Sequence, residues 1–158
     1  MIDVVQLAGA LIAAESVTPA RGAVFDVLET ALLPLGFSVE RFVAGEAPDG
    51  PVENLLATRG SGRHLAFAGH VDVVPPGPGW SAGAFEPLIA NGVLRGRGAV
   101  DMKGGIACSV AAVLEHLAAN GGQPRADGKG SISFLITGDE EDVSINGTIK
   151  LLKWAAER

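Results

Sequence analysis

Three times along this chain an apolar, β-prone run ends in imidazole or carboxylate groups. The runs are Leu65-Ala66-Phe67-Ala68-Gly69-His70-Val71-Asp72, then Leu94-Arg95-Gly96-Arg97-Gly98-Ala99-Val100-Asp101, then Phe134-Leu135-Ile136-Thr137-Gly138-Asp139-Glu140-Glu141-Asp142. Such runs have a natural home in an open α/β sheet, where sites form in the crevice beyond the carboxyl ends of the strands. If the three ends converge, one histidine and several acids meet in one place.

The rest of the chain supplies the layers for that arrangement. Helical spacing of apolar residues predicts helices over Val4–Ala14 (Val4, Leu7, Leu11, Ile12) and over Gly22–Leu33 (Val24, Val27, Leu28, Ala31, Leu32), the second ended by Pro34 and Gly36. Alternation predicts a strand over Phe37–Phe42. Two more strands are expected over Asn54–Thr58 and His64–Ala68, joined by the turn Gly60-Ser61-Gly62. Asn91-Gly92 between Leu88–Ala90 and Val93–Arg95 is a hairpin signal. Met102, Ile106, Val110, Val113, Leu114 and Leu117 mark another helix, Ser131–Thr137 a strand, and Ile145–Ala156 a final helix. Strands and helices mixed in this way indicate a layered α/β architecture. The last helix has no C-cap signal and follows the densest group of functional residues, so the chain reads as the N-terminal part of something longer.

Several carboxylates in one crevice repel one another unless protons or cations neutralise them. A divalent metal does so directly, and imidazole with carboxylates is a donor set that suits zinc. His70 offers a ring nitrogen. Asp72, two residues on, can accept the other ring N–H and fix the tautomer. Asp101 precedes a helix, where it can bridge two metals or cap the helix. Glu140 and Glu141 are adjacent, so one can bind metal while the other takes a proton from water. The bland alternative for the Asp139–Asp142 run is a solvated turn favoured by a helix dipole. Gly96-Arg97-Gly98 does not complete a dinucleotide fingerprint, because Asp101 stands at its last glycine. Cys108 has no histidine at useful spacing and reads as a packed or inert thiol.

Charge narrows the partners. Lys and Arg number 12 against 18 Asp and Glu, a net charge of −6, which argues against nucleic acid and anionic membrane surfaces. Apolar runs are interrupted before 18 residues, the number a membrane span needs, so no transmembrane helix is expected. Asp3 is the first charged side chain, leaving no basic region for a signal peptide. A single cysteine excludes an internal disulfide and fits a reducing compartment, with cytoplasm the default.

Gly69-His70-Val71-Asp72-Val73-Val74-Pro75, Gly96-Arg97-Gly98-Ala99-Val100-Asp101-Met102-Lys103-Gly104 and Thr137-Gly138-Asp139-Glu140-Glu141 resemble the signature blocks of the metal-dependent amidohydrolases and exopeptidases that include aminoacylase, acetylornithine deacetylase and related carboxypeptidases. The resemblance implies a layered α/β/α zinc-exopeptidase-like catalytic domain, of which residues 1–158 are the N-terminal part, without the lid and dimerisation domain. It implies two divalent ions, zinc with cobalt as the alternative. His70 would bind one, Glu141 the other, and Asp101 would bridge. Glu140 would be the general base and Asp72 would orient His70. The Asp101–Met102 peptide would be cis. Finer details, Val73-Val74-Pro75-Pro76-Gly77, Ile145-Asn146-Gly147-Thr148 and Glu15-Ser16-Val17-Thr18-Pro19, resemble the branch that hydrolyses N-succinyl-LL-2,6-diaminopimelate to succinate and LL-2,6-diaminopimelate, a step of lysine synthesis. The implied partners are a small N-succinyl amino acid and, at full length, a second copy in a homodimer. The alternatives are a related N-acyl-amino-acid deacylase, a metallopeptidase, or an inactive fragment. Three residues depart from that branch: Asp142 where glycine is usual, Arg95 for tyrosine, and Ala84 for proline. The family also carries a further acidic ligand and a histidine ligand beyond these blocks. Without them each ion would have two protein ligands here, where catalytic zinc normally has three.

Overall fold

The fold is taken from a computed structural model that describes residues 3–124 and 129–157. Its centre is a four-stranded sheet in the order β1-β2-β6-β3, built from Ser38–Ala44 (β1), Val52–Ser61 (β2), His64–His70 (β3) and Gly130–Thr137 (β6). β1 and β6 both run antiparallel to β2, and β3 runs parallel to β6. The Gly60-Ser61-Gly62 turn therefore joins two strands that do not pair. β6 lies between β2 and β3, with Leu55 opposite Ile136 and Leu65 beside Ile132.

One sheet face carries three helices, Val4–Ala13 (α1), Ala23–Leu32 (α2) and Gly104–Ala119 (α3). Alternate residues of the strands meet them: Leu55 and Ala57 from β2, and Ile132, Phe134 and Ile136 from β6. Asp3 caps α1 by accepting from the N–H groups of Val5 and Gln6 at 2.8 and 3.2 Å. In α2 the buried stripe is Val24, Phe25, Leu28 and Leu32. The sequence reading chose Val27 and Ala31 over Phe25, but the helix turns Phe25 fully inward and leaves the other two at the margin. The opposite face is covered by a short helix, Thr148–Ala155 (α4), through Leu151 on Leu56 and Leu135 and through Trp154 against Phe42. The result is the expected α/β/α layering. α4 starts at Thr148 rather than Ile145, because the buried Asp139 carboxylate accepts from the N–H groups of Ser144 and Asn146 and holds that stretch as a loop.

The Asn-Gly hairpin forms as read, pairing Leu88–Ala90 (β4) with Val93–Arg95 (β5), but as a separate two-stranded ribbon. The second of the three motif runs is thus not a strand of the central sheet. The chain instead makes a wide turn over Ala99–Lys103, with non-helical dihedrals at Asp101 and Met102 and a cis Asp101–Met102 peptide, before α3 begins. Turn and helix together span Ala99–Ala119, 21 residues of mean hydropathy 1.2, which by length and composition is enough to cross a membrane. The kink at Asp101–Met102, the buried Lys103 and the packing of Ile106, Ala107, Val110, Val113 and Leu117 into the core mark this segment as a core helix of the fold.

Segment 16–20 stitches the ends of the strands together. Val73 N–H donates to Ser16 O, Thr18 N–H to Val73 O, and Ala20 N–H to Gly138 O at 2.8 Å. A Cβ on Gly138 would stand 2.5 Å from that Ala20 oxygen, so the close approach requires glycine.

Candidate metal centre

The parallel register of β3 and β6 sets the site. It pairs His70 with Thr137, and Val71 N–H extends the ladder to Thr137 O at 3.0 Å. Both strands then stop, and the residues after them share one crevice. Asp72 is fully buried there. Its Oδ2 accepts from the backbone N–H groups of both Glu140 and Glu141, each at 3.0 Å. One carboxylate from the first motif thus clamps the acidic loop of the third.

The other Asp72 oxygen, Oδ1, lies 3.5 Å from His70 Nδ1, and the Asp72 carbonyl lies 3.0 Å from the same atom. Only backbone and carboxylate acceptors of Asp72 face Nδ1, so it carries a proton and Nε2 is the atom turned toward the crevice. Nε2 faces Asp101 Oδ1 at 3.1 Å and Glu140 Oε2 at 3.7 Å. Burial alone would lower the pKa of His70. Hydrogen bonds to the Asp72 side chain and carbonyl, with Asp101 adding to them, outweigh it and hold the ring up at about 9. Burial would likewise raise the Asp72 carboxyl, yet the His70 contact and the two N–H donors hold it below the usual carboxylate range. Glu141 is pushed up by burial and by the nearby Asp101 charge. These are the marks of a crevice with more negative charge than its own residues neutralise.

Donor atoms of His70, Glu140 and Glu141 lie within 4.8 Å of one another. Asp101 reaches the same imidazole from the turn before α3, with its side chain 73% exposed. All five residues singled out from sequence, His70, Asp72, Asp101, Glu140 and Glu141, therefore meet at one end of the sheet. An imidazole that can give up its Nε2 proton and an incompletely neutralised group of carboxylates form a donor set that fits a divalent cation. Asp142, open to two readings from sequence, points to solvent.

Three supporting residues escaped the sequence reading. Lys103 is fully buried, donates to Ala14 O at 3.1 Å, and is lowered by burial to about 8. Ser16 donates to Val71 O at 2.7 Å beside Asp72. Asn146 is buried, donates to Asp49 O at 2.7 Å and accepts from Asn54 Nδ2 on its own carbonyl at 3.1 Å, tying the acidic loop to the chain before β2. Their signal is long-range contact, which a local pattern does not carry. Cys108 is exposed, so the packing role is excluded.

Relatives show the same association of sequence and fold. The chain is 64% identical to a Bradyrhizobium diazoefficiens protein named succinyl-diaminopimelate desuccinylase, over 100% of this chain and 42% of that protein. It is 54% identical to a Nitrobacter hamburgensis protein of the same name, over 99% and 41%. The chain thus spans about two fifths of the length of these curated relatives. Among solved structures, human carnosine dipeptidase 1 superposes with a TM-score of 0.72 at 27% identity, over 98% of this chain and 35% of that one. An M20 family metallo-carboxypeptidase from Sulfolobus solfataricus has the same fold, with a TM-score of 0.69 at 20% identity over 92% and 33%. The family description "Peptidase family M20/M25/M40" matches residues 66–158, the stretch that holds every residue of the crevice, and the chain belongs to that family.

Proposed function

We propose that residues 1–158 form the N-terminal part of the catalytic domain of a zinc-dependent desuccinylase, which hydrolyses N-succinyl-LL-2,6-diaminopimelate to succinate and LL-2,6-diaminopimelate. The observation that carries this reading is the convergence of His70, Glu140 and Glu141 donor atoms within 4.8 Å, with Asp101 against the same imidazole. The names of the relatives support the substrate.

In this reading His70 Nε2, Asp101 and Glu141 are the residues that would hold two divalent ions, zinc or else cobalt. Bound there, such ions supply Lewis acidity toward an amide carbonyl and make a neighbouring water more acidic. Asp72 keeps the Nδ1 proton in place, so that His70 presents Nε2 as a lone pair. Glu140 is the general base: its carboxylate takes a proton from the attacking water and returns it to the leaving amine nitrogen. Its backbone N–H is fixed by Asp72 while its side chain is 56% exposed, which leaves the carboxylate free to move between those two positions. A cytoplasmic homodimer is the setting expected for such an enzyme.

The test joins this chain to the remaining part of the Bradyrhizobium diazoefficiens relative and compares N-succinyl-LL-2,6-diaminopimelate with N-acetylornithine. Faster turnover of the succinyl compound is expected, and equal or faster turnover of acetylornithine overturns the substrate. Glu140→Ala is expected to abolish turnover with metal content near native; retained turnover overturns the assignment of the base.

A further inference from the structure

The chain treats two of its arginines in opposite ways. Arg41 is saturated, with Asp26, Glu29 and Glu53 at 2.6, 2.8 and 2.6 Å. Arg97 pairs with no acid among the described residues, and its buried Nε has no hydrogen-bond partner. Its backbone N–H donates to Ala84 O at 2.7 Å, which fixes the main chain and leaves the guanidinium unused. That guanidinium lies over the Trp80 ring, 5.3 Å from the centroid. Stacking occupies the flat face of the cation and leaves its in-plane N–H fork available.

Arg97 and Trp80 line a cavity of about 540 Å³, and so do Asp101 and Glu141 of the acidic crevice. Val74 and Leu94 add apolar wall to the same cavity. The exposed Arg95 lines it too, so one space holds the proposed reacting end, an apolar lining and two arginines, of which Arg97 is the less exposed and has the unpartnered Nε. A mostly apolar pocket with a few well-placed polar groups is the usual form of a small-molecule site. An in-plane N–H fork matches a carboxylate bidentately, and such a partner would also satisfy the buried Nε.

We infer that Arg97, stacked on Trp80, binds the terminal carboxylate of a dicarboxylic acyl group whose amide end lies at the Asp101–Glu141 side of the cavity. The inference rests on the hydrolase reading above for the position of that amide. It selects the acyl end over the amino-acid end on charge. The free amino-acid end brings an ammonium beside its carboxylate, which the guanidinium repels, and the carboxylate next to the amide nitrogen is tied to the reacting end; a short dicarboxylic acyl chain brings methylenes for Val74 and Leu94 and a carboxylate that reaches away from the amide to Arg97.

The test uses Trp80 as its own reporter, in the metal-free chain carrying Trp154→Phe at fixed ionic strength. The probes are succinate, its neutral diamide succinamide, and alanine as an amino-acid control. Succinate is expected to change Trp80 fluorescence saturably at millimolar concentrations, with succinamide and alanine at least about tenfold weaker, the loss expected for a charge-assisted pair. Arg97→Met should weaken succinate by a similar factor, and Arg97→Lys by less. Equal responses to succinate and succinamide, or wild-type succinate binding by Arg97→Met, would overturn the assignment. Should Arg97→Met fail to fold by circular dichroism, the succinate and succinamide comparison in the Arg97 chain decides alone. The readout needs neither metal nor turnover, so its failure is separable from a failure of the hydrolase reading, which turnover reports.

Discussion

In the metal-free chain, His70 should make stability fall as pH rises through neutrality. Its pKa stands at about 9 in the fold against an ordinary 6.5. The folded state therefore holds the proton more tightly, and the stabilisation is fully present below about pH 6.5 and lost as pH rises through about 9. A difference of that size is worth about 3 kcal/mol, of which roughly half disappears between about pH 6.5 and 8. Lys103 acts in the opposite sense. Burial lowers it from 10.5 to about 8, so its cost is relieved mainly as pH rises from about 8 to 10.5. Below about pH 8 that relief returns only a small part of the loss, leaving a net fall of about 1 kcal/mol. Asp72 is held below the usual carboxylate range by His70 and the two N–H donors, so its titration lies on the acid side of this window. The assay is urea unfolding by tryptophan fluorescence at fixed ionic strength with a chelator present. Asp72→Asn removes the anion beside Nδ1 and should flatten the fall, besides lowering stability because two backbone donors lose a charged acceptor. Stability that stays level or rises from about pH 6.5 to 8, or a slope unchanged in Asp72→Asn, would refute the argument that the Asp72–His70 contact raises the imidazole.

Other perturbations probe the frame. Zinc added near pH 7 should release about one proton per His70 engaged, since the ring must lose its Nε2 proton to bind, and a pH-stat titration with no release would count against Nε2 as a ligand. Leu151→Ala removes the one fully packed residue of α4 and should cost about 3 kcal/mol, with Trp154 fluorescence shifting to the red; an unshifted spectrum would show that α4 is held by other contacts. Gly138→Ala should cost more than about 2 kcal/mol in urea unfolding, because the backbone oxygen of Ala20 cannot move aside alone. Arg41→Met leaves Glu53, only 11% exposed, without its cation and should cost about 1–3 kcal/mol, the lower end reflecting solvent access to Arg41.

The layered fold and all five crevice residues were legible in the sequence because each rests on a local pattern. The helix of α3, the strand of β6 and the His-x-Asp and Glu-Glu pairs are each read within one short window. What the windows do not hold is partnership. The turn at Gly60–Gly62 predicts a reversal, and a reversal it is, but the neighbour of β3 is β6, some sixty residues away, because Phe67 stacks on Phe134 with ring centroids 5.2 Å apart and both face α3 and its companions. Asn91-Gly92 gives Val93–Arg95 its hairpin partner, but nothing local says that the hairpin stands apart from the central sheet. Lys103 and Asn146 look like surface residues by type, and only the contacts made by distant chain segments bury them.

The same register explains why the crevice and the core cannot be specified separately. In β3 the odd-numbered Leu65, Phe67 and Gly69 share the side of the β6 residues Ile132, Phe134 and Ile136, so His70 shares the side of Thr137. A one-residue slip between β3 and β6 would turn Phe67 away from Phe134 and carry His70 to the helical face, out of reach of Asp101 and Glu140. Hydrophobic pairing, which fixes the register, therefore also fixes which side of the sheet the imidazole faces. Asp72 then converts that position into geometry, since its two bonds to Glu140 and Glu141 N–H form only when both strands end level. The site is thus held by the apolar layer beneath it, and a core substitution that loosens the Phe67–Phe134 stack should lower metal affinity without touching any of the five crevice residues.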